Sequence, residues 1–142
     1  MKKNKLTSDF DLDFELLGLV CNKKEYKLAW HINQVLGFNL VKQDDVKIEF
    51  SDLSSILISN CKYQTEHMSF ELLQNKLMAS ANPKYKYLIP ELSQFDYLIK
   101  LKDMSGELTS ENVTVILKEI PIVEYVMRLT FDHLKSKENL LY

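Results

Sequence analysis

Two apolar runs, residues 85–89 and 95–101, flank Pro90 with only a few residues between them, and this arrangement constrains the chain more than any other segment. Proline fixes φ and offers no amide, so neither a helix interior nor a central strand passes through Pro90. Tyr85, Tyr87 and Ile89 share one side of an extended chain, and Phe95, Tyr97, Ile99 and Leu101 share one side of the next. The spacing predicts a hairpin closed by residues 90–94. Earlier runs at 39–50, 55–62 and 68–78 are also rich in β-branched and aromatic residues and are separated by polar breaks. Parallel neighbours need crossovers of about a dozen residues, so these short breaks predict an antiparallel meander.

Helical periodicity occurs twice. In residues 22–37, Leu28, Ala29, Ile32, Val35 and Leu36 form an apolar stripe. Asn22 with Glu25 three residues on predicts the start, and Gly37 the stop. Later, Val113, Ile116, Leu117 and Ile120 fall at i, i+3, i+4 and i+7, with Thr109 or Ser110 as cap. Pro121 interrupts this pattern, so residues 122–134 are expected to be a second helix or a kinked continuation, with Val123, Val126, Met127, Thr130 and Leu134 facing inward. The expected fold is α+β: an antiparallel sheet of about five or six strands with an N-terminal helix and a C-terminal, proline-kinked helical region on one face. With no internal repeat or linker, residues 1–142 are expected to form one domain, with 1–8 and 136–142 flexible.

Residues 9–16 alternate strictly, with Asp9, Asp11, Asp13 and Glu15 on one side and Phe10, Leu12, Phe14 and Leu16 on the other. This predicts a half-buried strand whose acidic face is solvated or answered by Lys84 and Lys86, or by Lys100 and Lys102. Its edge is a candidate for self-pairing or β-augmentation.

Composition removes several function classes. The three glycines are scattered at Gly18, Gly37 and Gly106, so no glycine-rich phosphate loop is present. Net charge is −2 and Arg128 is the single arginine among 18 basic residues, which disfavours direct nucleic-acid binding. An RNA-associated accessory role would require Lys84, Lys86, Lys100 and Lys102 to gather on one exposed face. His31, His67 and His133 share no metal-ligand spacing with one another or with Cys21 and Cys61, so neither a metal nor a cofactor is expected. The cysteines read as buried free thiols, although Cys21 precedes a helix N-terminus that could lower its pKa. The basic opening gives way to acidic residues instead of an apolar leader, and no apolar run approaches the length of about 20 that spans a membrane. A cytoplasmic location is expected.

The acid/base candidates are Glu91 and Asp96, five residues apart across the predicted hairpin, where a close approach would raise one pKa. Equally, a glutamate after proline can face water and an aspartate at a strand start can accept backbone amides. His31 lies on the first helix with Glu25 and Asn33, but these three cannot form a triad on one helix face.

Ile89-Pro90-Glu91, followed shortly by Phe95-Asp96, resembles the signature of the IPExxVD family, small bacterial proteins of unassigned function. Residues 25–33, Glu25-Tyr26-Lys27-Leu28-Ala29-Trp30-His31-Ile32-Asn33, are similar to a helix near the start of that family. The resemblance implies no activity. The expected role is a non-catalytic protein-binding or adaptor domain with Glu91, Asp96 and His31 as partner contacts and another protein as partner. The competing expectation is a small enzyme built on Glu91, Asp96 and His31.

Overall fold

Strand β1 (Glu15–Val20) is buried at Leu16, Leu17, Gly18 and Leu19 without alternation, because the sheet it belongs to is covered on both faces. The computed structural model describes residues 14–77, 85–130 and 134–140. After β1 come helix α1 (Glu25–Leu36), β2 (Val41–Lys42), β3 (Val46–Glu49), β4 (Ser55–Ile58), β5 (Asn60–Gln64) and β6 (Met68–Gln74). A 3-10 turn (Pro90–Leu92), β7 (Tyr97–Asp103), α2 (Ser110–Leu117), β8 (Tyr125–Leu129) and a second 3-10 turn (Lys137–Leu140) complete the order. Six strands form one antiparallel sheet in the order β2-β5-β6-β7-β1-β8, while β3 and β4 make a separate two-stranded ribbon. The fold is α+β, as the periodicities imply.

One face of the sheet, with Leu17, Leu19, Phe70, Leu72, Ile99 and Leu101, packs against Leu28 and Ile32 of α1 and Val113 and Leu117 of α2. The other face, with Leu16, Leu73 and Leu98, is covered by Ile56 and Ile58, by the Leu88–Phe95 region and by Leu134 and Leu140. Leu140 is fully buried, and its carbonyl accepts from Lys100 Nζ at 2.6 Å.

Helix α1 ends at Gly37, whose φ of 69° is a left-handed C-cap that glycine adopts without strain. Its N-cap is Lys24, without a side-chain bond, and not Asn22. Thr109 Oγ1 caps α2 by accepting from Asn112 N at 3.1 Å.

Three further expectations are corrected. Residues 122–134 do not continue the helix: α2 stops at Leu117, and residues 125–129 form β8, paired with β1 from Leu16↔Leu129 to Val20↔Tyr125. Tertiary pairing with β1 outweighs the helical spacing of these residues, and Tyr125 and Val126 suit a strand. The 85–89 and 95–101 runs do not form a hairpin either. β7 pairs with β6 and β1, whereas Tyr87 makes only an isolated bridge to Lys76. Finally, β1 is no edge: it lies between β7 and β8, Lys100 stands opposite Leu16, and Glu15 stands opposite Leu101. The Glu15 carboxylate instead accepts from Ser110 Oγ at 2.6 Å and Ser110 N at 3.2 Å at the start of α2. Asp9, Asp11, Asp13 and Lys84 lie outside the described residues.

Candidate ligand cleft

Glu25 occupies the first position of the α1 stripe that continues through Leu28, Ala29 and Ile32, so its side chain is carried inward with them. There it meets Ser59, the residue between β4 and β5, whose Oγ donates to Glu25 Oε1 at 2.8 Å. Residues 55–62 divide at this point because Asn60 is buried and its Nδ2 donates to the carbonyls of Asp44 and Ile58 at 3.0 and 3.3 Å. The side-chain bonds fasten the crossing between ribbon and sheet. Gln74 N donates to Ser59 O at 3.0 Å and fixes the same residue from β6.

Around Glu25 opens a cleft of about 750 Å³. Cys21, Cys61, Asp96 and Tyr97 contribute to its walls, and Lys23, Lys24, Lys42 and Lys76 supply cationic side chains. Tyr26, at the mouth, is 65% exposed, and Trp30 one turn later is 58% exposed. Glu25 Oε2 is buried with no hydrogen-bond partner among the described residues. A buried acceptor without a donor is costly.

Burial in the cleft favours the neutral forms of Glu25, Cys21, Cys61 and Tyr97. Burial raises the Glu25 pKa above its ordinary value, although the Ser59 hydrogen bond opposes the shift. Burial also pushes the Cys61 thiol up to about 11, with the Glu25 charge adding to it. Cys21 is raised by burial despite the helix start nearby, and Tyr97 is raised by burial. Tyr97 uses its hydroxyl to donate to Lys23 O at 2.6 Å, holding the approach to α1. Thiols kept protonated are poor nucleophiles. The two cysteines are also far apart: β6 and β7 lie between Cys61 on β5 and Cys21 just past β1, a separation of about three strand spacings of ~4.8 Å, beyond disulfide reach.

Because burial raises the Glu25 pKa in the folded state, this carboxyl holds its proton more firmly there than in the unfolded chain between the two pKa values, and stability present at acid pH is lost as pH rises through the folded pKa. Glu25→Gln keeps an oxygen for Ser59 and removes the charge. Thermal melts are expected to show the variant more stable than wild type at neutral pH, with the two curves converging toward acid. Equal melting at pH 7 would show that the carboxylate is already well solvated.

The residues singled out from the sequence are placed separately. Glu91 sits in the 3-10 turn and accepts from Ser136 N at 2.7 Å and Ser136 Oγ at 2.9 Å. Burial would raise its pKa, but these hydrogen bonds to the carboxylate outweigh that effect and lower it. Asp96 Oδ2 accepts from Cys21 N at 2.8 Å, and Asp96 N donates to Leu19 O at 2.8 Å. Each carboxylate therefore bonds to a different segment. His31 lies on α1, half-buried, edge-on to Trp30 with centroids 5.0 Å apart. Of the three, only Asp96 reaches the cleft. Glu25 stands three residues before Leu28 on the apolar stripe, and that spacing is the sequence signal that its carboxylate is buried. Among the described residues, no His, Cys, Asp and Glu group is placed to hold a metal ion, and no helix is long and apolar enough to cross a membrane. Lys100 bonds to Leu140 and lies 3.9 Å from Glu71, so it does not join Lys86 and Lys102 in a basic patch.

Comparisons with protein-family models, curated proteins and solved structures find no match for this chain.

Proposed function

We propose that the chain is a non-catalytic protein-binding domain, and that its partner docks a polar segment into the cleft at the start of α1. The observation that carries this reading is the buried, unpartnered Oε2 of Glu25 in a cleft with four lysine side chains. A turn of the Glu25 side chain into the cleft would bring that oxygen to a donor of the docked segment, and acidic residues beside it would meet Lys23, Lys24, Lys42 and Lys76. Exposed Tyr26 and Trp30 supply aromatic area of the kind that anchors protein interfaces. The protonated thiols and phenol support binding over nucleophilic chemistry.

The resemblance to the IPExxVD family is kept as part of this proposal, with a structural role for its turn. The Ile89-Pro90-Glu91 segment holds the chain through Asn75 and Ser136. Cytoplasmic location is the compartment we propose for its two free thiols.

Affinity purification from the native host at low salt, with quantitative mass spectrometry, tests this. A stoichiometric protein partner is expected with wild type and with Glu91→Ala, and is expected to be lost with Glu25→Ala and Tyr26→Ala at unchanged fold by circular dichroism. Retention of the partner by the two cleft variants, or recovery of wild type alone, sinks the proposal.

A further inference from the structure

The six-stranded sheet has two edges of different character. β2 is only two residues long, and its Lys42 is tied to Asp45 at 3.2 Å. β8 presents five residues, and among the described residues it pairs with β1 alone. A strand of this length with an open side is a template for another strand, and soluble proteins ordinarily blunt it with proline, lysine or a bulge. β8 has no proline or lysine, and it exposes Tyr125 and Met127 at 53% and 44%.

The sequence of this edge is complementary to itself. In an antiparallel pairing centred on Val126, Glu124 stands opposite Arg128 of the second copy, and Tyr125 stands opposite Met127 of the second copy. Both pairs occur twice by symmetry. Val126 meets its own counterpart on the axis, and its side chain is 2% exposed and turned into its own core, so it causes no collision there. Centring the pairing on Tyr125 or on Met127 brings no opposite charges together. Within β8, alternation puts Val126 and Arg128 on one side and Tyr125 and Met127 on the other, and Glu124 immediately precedes the strand. The same register thus brings two ion pairs together at the ends of the paired strands and two aromatic–sulfur pairs on the Tyr125 side. Within one chain Tyr125 Oη already approaches Met127 Sδ at 3.8 Å.

We propose that β8 pairs with β8 of a second copy of this chain, antiparallel about a twofold axis through Val126, so that the two sheets continue into one another. The interface is isologous and closed, giving a dimer and no further growth through this edge. An unrelated strand would satisfy the backbone but not both charges in one register, so the edge selects its own copy. None of these side chains lines the cleft, and the dimer stands or falls independently of the function proposed above.

Sedimentation velocity on the full chain over a range of concentrations is the test. Wild type is expected to dimerise, with dissociation on dilution and at high salt. Glu124→Arg and Arg128→Glu each place like charges opposite one another twice and should weaken the dimer by about tenfold or more. The combined Glu124→Arg, Arg128→Glu variant restores opposite charges and should recover the dimer, a result that loss of folding cannot mimic. Met127→Lys, on the other side of the strand, should also give monomer, with circular dichroism confirming that each variant is folded. Wild type that remains monomeric at every concentration, single variants that dimerise as wild type does, or a double variant that stays monomeric would each overturn the proposal.

Discussion

Asn75→Ala is expected to destabilise the protein by about 3 kcal/mol, as two buried groups lose their partner at about 1–3 kcal/mol each and a third, Leu92 O, loses one of two. Asn75 follows β6 and is fully buried. Its Nδ2 donates to Leu92 O and Phe95 O, both at 2.9 Å, while its Oδ1 accepts from Ile89 N at 2.8 Å. Its backbone takes part as well: Asn75 N donates to Asp96 O, and Leu88 N donates to Asn75 O at 2.7 Å. One side chain thus stands in for the strand ladder that the Pro90 turn cannot make. Alanine leaves the Ile89 amide and the Phe95 carbonyl without these bonds, while Leu92 O keeps the one it accepts from Phe95 N. Chemical denaturation should show a lower midpoint at unchanged slope, since the loss lies in the native state. A midpoint within error of wild type would mean that the turn is held by apolar burial alone. Glu91→Ala is the contrast, because its bonds to Ser136 are exposed at the surface and water replaces them.

Gly18→Ala is expected to be of similar size for a steric reason. A Cβ at Gly18 would lie 2.7 Å from the Phe95 ring and 2.9 Å from Leu129 Cδ1. Phe95 is 2% exposed and packed on all sides, so the ring cannot swing away as a surface side chain would. Overpacking of this kind costs about 1–3 kcal/mol, and more where the backbone of an interior strand must shift. β1 bonds to strands on both sides, and any shift is shared by β7 and β8. The diagnostic is the double-mutant cycle with Phe95→Leu. Removing ring volume should make Gly18→Ala less harmful than in the wild-type background, giving a positive coupling. Additive effects would show that the alanine methyl meets no resistance from Phe95.

The two effects rest on one unit. Gly18 admits Phe95, Phe95 and Leu92 offer their carbonyls to Asn75, and Asp96 fastens Cys21 at the end of β1. The stretch that stands out in the sequence is therefore a joint between β1, β6 and β7. Its two carboxylates have structural bonds, and Asp96 also lines the cleft with Glu25.

The sequence alone determined those elements whose signals are local. The stripe from Leu28 to Leu36 with Gly37 after it specified α1, the Thr109-Ser110 pair placed the start of α2, and the short breaks between β-rich runs specified antiparallel pairing. Each depends on residues within a turn or two of one another, where periodicity and capping act directly. Tertiary structure alone decided that residues 125–129 pair with β1, that residues 55–62 divide between ribbon and sheet, and that the Pro90 turn hangs on Asn75. It also decided that Glu25 faces a cleft with Ser59, 34 positions away in the chain. Periodicity reports how many sides of a segment are buried but not what buries them, and a hydrogen bond between distant positions leaves no pattern in either. Those partners exist only once the sheet has brought them together.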